Sequence, residues 1–326
     1  MPPRIIIKRT DADWRVDILR QHLTTDWQVD IIDSGDRDAM QTALRSATAI
    51  VSMNWAAEMP PAPSLKLLHL PGAGLDEIIW SALPPHVTVC NVFEHEIGIA
   101  EFVLAAMLEW CIRITELQRR FRSEFHWQGS HLLGPQHAEL FRKTVAIVGY
   151  GRIGSEVARR CHAFGMRVLA CTRSPKDQDP FAERVAPIAS LHEVLAEADF
   201  VVDALPLDQH TRGIFDAPAF RAMRPSAVLI NVGRGATIDE QALFEALRER
   251  RIGGAVIDVW YSYPKPGENI ARPSEFPFET LDNIIMTPHA SAWSEGLLPR
   301  RWSMIANNLN RLARSEPLIN VVRPGA

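Results

Sequence analysis

Cysteine is scarce. The 326 residues contain four, at Cys90, Cys111, Cys161 and Cys171, and no two stand in CxxC spacing. That pattern excludes a disulfide framework and a cysteine zinc site, and it points to a reducing, cytoplasmic setting. A basic block is also missing. The net charge is −4, which argues against nucleic acid as the main partner. The longest apolar stretch, residues 97–112, carries Glu101 and Glu109 and is too short to span a bilayer. It reads as a buried or interface helix, and no membrane partner is expected. The opening "MPPRIIIKRT" holds an apolar run of three isoleucines and is followed by Asp11 and Asp13, so a signal peptide is not expected. "FEHEIGIAE" (93–101) has a His-Glu pair, but no histidine follows His95 at four residues. A zinc-protease helix is therefore excluded, and no metal is expected. Internal repeats and low-complexity segments are absent.

What is present suits two globular domains. Hydrophobic residues make up 47% of the chain, enough for sizeable cores. In the first hundred residues short apolar runs alternate with polar, helix-like ones. Strands are expected at 4–8, 28–32, 49–53, 66–70 and 88–92, with helices at 14–22 and 37–45. Strands separated by helices imply a parallel sheet. "PPAP" (60–63) and "PGAG" (71–74) are loops. A long helix is expected from Ile99 to about Phe121, then an irregular stretch with Trp127, Gly129, Gly134 and Pro135. A second series follows, with strands at 145–148, 167–170, 200–204, 227–231, 255–259 and 284–286. Six strands with helices between them match a doubly wound dinucleotide fold. A last helix from about Pro299 sets Trp302, Ile305, Leu309 and Leu312 on one stripe, before a short apolar run, "LINVV".

Gly149-Tyr150-Gly151-Arg152-Ile153-Gly154 fits GxGxxG between an apolar strand and a helix. The first glycine suits a tight turn, the second lets backbone approach a pyrophosphate, and the third lets helix and strand pack closely. The helix start at Ile153 offers free N–H groups and a positive dipole to the phosphates. Arg152 adds charge there or faces solvent. The next strand would ordinarily end in an acidic residue that bonds the ribose hydroxyls. Here it ends in Thr172, Arg173 and Ser174. A guanidinium and two hydroxyls favour a 2′-phosphate, so NADP(H) is the expected cofactor. NAD(H) is the alternative, with Arg173 stacked on adenine or solvated.

Five further segments follow a known order. They are "GAGLD" (72–76), "AEFVLAAML" (100–108), "LINVGRGATIDEQAL" (229–243), "GGAVIDVW" (253–260) and "MTPHASAW" (286–293). With the glycine turn, they resemble the D-isomer-specific 2-hydroxyacid dehydrogenases, of the glyoxylate/hydroxypyruvate reductase kind, over nearly the whole chain. The resemblance implies an α/β protein with two doubly wound parallel sheets. Residues 1–97 and 292–326 would form a flavodoxin-like substrate domain, and 98–291 an inserted Rossmann coenzyme domain. It also implies an active site in the cleft between domains, and a homodimer formed through the coenzyme domain by the Ile99 helix and the Trp127 stretch. Glu94, His95 and Glu96 would lie at the hinge, reaching the cleft or solvated.

The chemistry expected of these residues is reduction of a 2-oxo acid to a D-2-hydroxy acid. Arg234 follows a buried strand, between two glycines. Its planar fork suits a carboxylate and polarises the neighbouring carbonyl. His289, by resemblance, is the general acid/base, a role that suits histidine near neutral pH. The resemblance also gives the N–H groups of Ala73 and Gly74 a carboxylate contact. It sets Asp258 on the nicotinamide carboxamide, with a strand-end cap as the alternative. It lines the cofactor with Pro206, Thr211 and Val232. Asn54 and Trp55 face the substrate or, for the Trp, the core.

One position departs from the family. The usual "DVFxxEP" supplies a Glu that pairs with the histidine; here the stretch is "DVWYSYP" and Tyr263 stands in that place. A neutral phenol orients an imidazole but adds no full charge. His289 is therefore expected to hold its proton less firmly than in relatives with the Glu, unless Glu94, Glu96 or Glu268 substitutes. The departure keeps two alternatives in view. One is a nucleotide-sensing binding protein or inactive relative on the same fold. The other is a formate-type dehydrogenase, whose substrate-loop pattern is not visible in "LPGAGLDE".

Overall fold

The computed structural model describes residues 2–9, 14–33, 35–127, 129–130, 133–265 and 267–325. Asp11 and Asp13, and residues 128, 131 and 132 of the irregular stretch, lie outside the described residues. The chain forms two compact units, Met1–Glu94 with Ser294–Ala326, and His95–Trp293.

The first unit opens with β1 (Arg4–Arg9), α1 (Trp14–His22), β2 (Gln28–Asp33), α2 (Arg37–Leu44), β3 (Ala49–Val51), β4 (Leu67–His69) and β5 (Thr88–Cys90). The second holds α3 (Glu96–Ile112), α4 (Ile114–Glu124), β6 (Thr144–Val148), α5 (Arg152–Ala163), β7 (Arg167–Thr172), β8 (Arg184–Pro187), α6 (Leu191–Glu197) and β9 (Phe200–Asp203). It continues through α7 (Ala217–Ala222), β10 (Val228–Asn231), α8 (Glu240–Arg248), β11 (Gly254–Ile257) and β12 (Ile284–Met286). The chain then returns to the first unit with α9 (Leu297–Ala313) and β13 (Val321–Arg323).

The first unit's sheet runs β13-β5-β4-β3-β1-β2. Its parallel part has the flavodoxin order, 2-1-3-4-5. The strand added by "LINVV" is antiparallel to β5, with Val321 opposite Cys90. The second sheet runs β12-β11-β10-β9-β6-β7-β8 and is parallel throughout. It contains the 3-2-1-4-5-6 order of a dinucleotide fold. Central strands are apolar along their length because helices cover both faces; every residue of β6 is buried. Two clusters, one per face, form this unit's core.

Two expectations need correction. The helix expected from Ile99 to Phe121 is two helices, broken at Arg113, which adopts a left-handed conformation (φ 56°) and donates its N–H to the Glu109 carbonyl at 2.7 Å. The break lets α3 bury its apolar residues while α4 buries none. Among the described residues the second sheet also has seven strands, not six. β8 was not foreseen because it is a four-residue edge strand with only Val185 and Ala186 buried.

Candidate active site

Six expected functional segments stand at the carboxyl ends of parallel strands in the second unit, where doubly wound folds place ligands. The glycine loop joins β6 to α5. Gly149 has φ +98°, and a Cβ there would come within 2.7 Å of the Ala204 carbonyl carbon. A Cβ on Gly154 would sit 2.2 Å from the Gly149 oxygen. Both are glycines for packing. Gly151 differs: a Cβ there would meet nothing within 4 Å. It leaves an open face of backbone at the start of α5, whose N-cap has no side-chain hydrogen bond. An anionic diphosphate fits that place, because helix N–H groups and dipole converge on it. Ile153 is half-buried and Arg152 exposed, with a guanidinium nitrogen 4.0 Å from Glu96. Glu96 and His95 are mostly enclosed, 3.8 Å apart, rather than solvated.

β7 ends at Thr172. The Thr172 hydroxyl accepts the Ser174 N–H at 3.4 Å. Arg173 is largely exposed, 3.9 Å from the Asp208 carboxylate. Asp208 belongs to a loop closed on itself: Thr211 Oγ donates to the Pro206 carbonyl at 2.7 Å and accepts the Asp208 N–H at 2.8 Å. Val232 is buried at the end of β10.

Arg234 is extended (φ −142°) and half-buried, and its guanidinium donates to the Gly233 carbonyl at 2.9 Å. Its main chain is held from two strands. Asn231 accepts the Gly233 N–H at 3.0 Å and donates to the Arg234 carbonyl at 3.1 Å. The Thr237 hydroxyl reaches the same carbonyl at 2.6 Å and the Asp203 carboxyl at 2.5 Å.

His289 lies past β12 in the left-handed region (φ 55°), a strained conformation of the kind that clusters at functional sites. The loop around it hangs on Asp258. One oxygen accepts from Thr287 Oγ at 2.6 Å and from the Ala290 N–H at 2.8 Å; the other accepts from the Ser291 N–H at 2.9 Å. Burial would raise the Asp258 pKa, but these donors outweigh it and hold the carboxyl below its usual range. Asp258 was expected at the nicotinamide. Its buried carboxylate accepts three hydrogen bonds from the His289 loop. The Trp260 indole N–H adds a bond to the Thr287 carbonyl at 2.8 Å.

The His289 pKa is lowered by desolvation; Asp258 pulls it upward, and the Arg234 guanidinium adds a smaller downward push. Within this unit, Asp258 is the carboxylate whose charge raises the His289 pKa. Tyr263 lies beside the imidazole, ring centroids 5.6 Å apart. Its hydroxyl accepts the Trp260 N–H at 3.1 Å. Its pKa is raised by desolvation, a shift opposed by that N–H and by Arg234. Arg234, Asp258, Tyr263 and His289 therefore form one electrostatic group.

In the first unit, Asn54 takes a hydrogen bond from Lys8 Nζ at 2.8 Å and stays half-buried. Ala73 and Gly74 are half-buried, and the Ala73 carbonyl accepts from Asn91 at 3.0 Å. Trp55, expected to face the substrate or the core, is a core residue. It is 1% exposed, and its indole N–H is spent on the Ala82 carbonyl at 3.2 Å.

Among the described residues no cluster of His, Cys, Asp and Glu could hold a metal, and no helix is long and apolar enough to cross a membrane. The four cysteines are buried thiols.

The family profile for the D-isomer specific 2-hydroxyacid dehydrogenase NAD binding domain matches residues 104–291. A glyoxylate reductase from Thermococcus onnurineus (strain NA1) is 30% identical over 345 residues, covering 100% of this chain and 99% of that one. A 2-hydroxyacid dehydrogenase from Ketogulonicigenium vulgare Y25 superposes with a TM-score of 0.82 at 25% identity, covering 100% of both chains. A D-isomer specific 2-hydroxyacid dehydrogenase family protein from Aeromonas salmonicida subsp. salmonicida A449 gives 0.81 at 25% identity, covering 99% of both.

Proposed function

The chain belongs to the D-isomer specific 2-hydroxyacid dehydrogenase family, a family of NAD(P)-dependent oxidoreductases, and we propose that it reduces a 2-oxo acid to the D-2-hydroxy acid. The observation that carries this reading is the pairing of Arg234 and His289. They stand past β10 and β12 of one sheet, close enough for the guanidinium to lower the imidazole pKa, on main chain tied down by Asn231, Thr237 and Asp258.

Each residue has one task. The Arg234 fork takes the substrate carboxylate and draws electron density from the adjacent carbonyl. His289, as imidazolium, gives its proton to the ketone oxygen as the alkoxide develops. The left-handed turn and the Asp258 clamp hold that imidazole in one direction. Tyr263 flanks the ring without competing for its proton, since its hydroxyl is turned to Trp260. A reduced nicotinamide cofactor, when bound, supplies the hydride. Gly151 and the start of α5 at Ile153 would hold its diphosphate, in a turn that Gly149 and Gly154 let pack, and Thr172, Arg173 and Ser174 would hold the adenosine end, with NADP(H) preferred. Glyoxylate is the first substrate to test, because the Thermococcus onnurineus relative bears that name. The exposed Ile114, Phe121, Phe125 and Trp127 on and after α4, with the Phe121 and Trp127 rings packed edge to face at 5.2 Å, support a homodimer through this unit.

A panel of 2-oxo acids, each assayed with NADPH and with NADH, tests the proposal. Turnover of at least one acid, faster with NADPH, is the expected result. Tight cofactor binding with no turnover of any acid would overturn it in favour of a nucleotide-sensing protein.

A further inference from the structure

β9 is apolar until its last residue, Asp203. That carboxyl is 0% exposed and lies between β6 and β10, in the middle of the sheet. One oxygen accepts the Leu205 N–H at 3.0 Å. The other is 2.5 Å from the Thr237 hydroxyl oxygen, which is also 2.6 Å from the Arg234 carbonyl. Thr237 is itself 0% exposed.

The protons in this chain can be counted. A hydroxyl has one to give, and a carbonyl only accepts. If Asp203 were ionised, the single Thr237 proton would have two acceptors. One of the two short oxygen contacts would then hold no proton, an arrangement that buried polar groups avoid. If Asp203 carries a proton, both contacts are filled in series. Asp203 donates to Thr237, and Thr237 donates to the Arg234 carbonyl.

The surroundings favour the neutral form. On one side β6 presents the apolar Val148, and on the other β10 presents the uncharged amide of Asn231. The titratable group near enough to feel Asp203 is the Tyr261 phenol, which also feels Asp239 and Glu240. The cation of the site, the Arg234 guanidinium, is directed at the Gly233 carbonyl. Burial raises the Asp203 pKa to about 7, with the Thr237 and Leu205 donors opposing the shift.

We propose that Asp203 is held as a neutral carboxylic acid and acts, through Thr237, as the positioning residue for Arg234. Asn231, its cross-strand neighbour in the ladder, holds the other side of the same backbone. The substrate-binding arginine thus hangs from the ends of two adjacent strands. Ionisation of Asp203 removes a donor from one of them. The consequence for catalysis rests on the reductase reading above; the protonation state does not.

The test has two arms. The first is infrared difference spectroscopy of the whole protein, wild type minus Asp203→Asn. A carboxylic-acid carbonyl band is expected at about pH 5.5 and should fade as pH rises through about 7 to 8. The second arm is kinetic. In Asp203→Asn the side-chain amide can donate to Thr237 while its oxygen still accepts from Leu205. This variant should restore wild-type KM for the oxo acid and lose the part of the alkaline fall due to Asp203. Asp203→Ala and Thr237→Val should each raise KM by at least tenfold, with a smaller change in kcat. Absence of the band throughout the range about pH 5 to 9 would overturn the proposal. So would an Asp203→Asn variant as impaired as Asp203→Ala. Should the wild type turn over no 2-oxo acid, the reductase reading fails while the infrared band still decides the state of Asp203.

Discussion

The Tyr263 ring lies beside the His289 ring, centroids 5.6 Å apart and tilted by 51°, yet its hydroxyl is bonded to the Trp260 N–H. Tyr263 therefore flanks the imidazole while its phenol oxygen is bonded to the Trp260 main chain. Reduction requires the imidazolium, and desolvation and Arg234 lower the His289 pKa. Activity should accordingly fall as pH rises through a value below the ordinary histidine range.

Tyr263→Glu places a carboxylate beside the ring. It should move the alkaline limit of reductive kcat/KM upward, by about one pH unit if the pair gains roughly 1.4 kcal/mol. Tyr263→Phe should leave that limit in place and lower the rate modestly. pH–rate profiles of the three proteins decide this. One shared limit would show that a charge at position 263 does not reach His289.

Asp258 provides a second lever on the same proton. Its charge pulls the His289 pKa up, and its oxygens tie Thr287, Ala290 and Ser291. Asp258→Asn removes the charge and sets an amide against backbone donors. The reductive alkaline limit should drop, and kcat should fall at least tenfold, about 1.4 kcal/mol. An unchanged profile would show that the clamp does not govern the histidine.

Arg173 is expected to read the cofactor's 2′-phosphate. Arg173→Ala should weaken NADPH ten- to a hundredfold, or roughly 1.5–3 kcal/mol, and NADH far less. The Asp208 carboxylate, 3.9 Å from Arg173, competes for the same guanidinium. Asp208→Asn should therefore tighten NADPH slightly. Titration of both cofactors checks this, and equal losses on Arg173→Ala would remove Arg173 from that role.

Stability should depend on pH through His69. It is fully buried, with Nδ1 bonded to the Leu70 carbonyl at 3.0 Å and Nε2 facing the Asn308 amide at 3.0 Å. Burial lowers its pKa from 6.5 to about 4. The unfolded chain takes up the proton first as pH falls. The contribution is therefore full above about 6.5 and is lost between there and about 4, by at most about 3 kcal/mol. Denaturant unfolding of wild type and His69→Gln at several pH values measures the slope, which should shrink in the variant.

Much of the architecture was legible because the decisive residues are local. An apolar run such as β6, a glycine turn and an amphipathic helix declare themselves within a dozen residues. What escaped depends on distant partners or on unusual backbone. The break at Arg113 has no glycine or proline to announce it. β8 is too short, and too exposed at its ends, to show a period. Trp55 could be a substrate or a core residue until Ala82 claimed its indole N–H. Asp203 was not singled out, because it fell inside an expected apolar strand and its partner Thr237 lies 34 positions away. Asp258 was correctly seen at a strand end, and only the fold shows that its carboxylate carries the histidine loop.

The most direct measurement is steady-state reduction of glyoxylate and bulkier 2-oxo acids with NADPH by wild type and Arg234→Lys. The Lys variant keeps the charge and loses the bidentate fork. The wild type should turn over at least one acid, and kcat/KM should drop at least tenfold in the variant, on the order of 1.4 kcal/mol of transition-state binding. A Lys variant as active as the wild type would take Arg234 out of the carboxylate clamp, and a wild type inert toward every acid would contradict the reductase function itself.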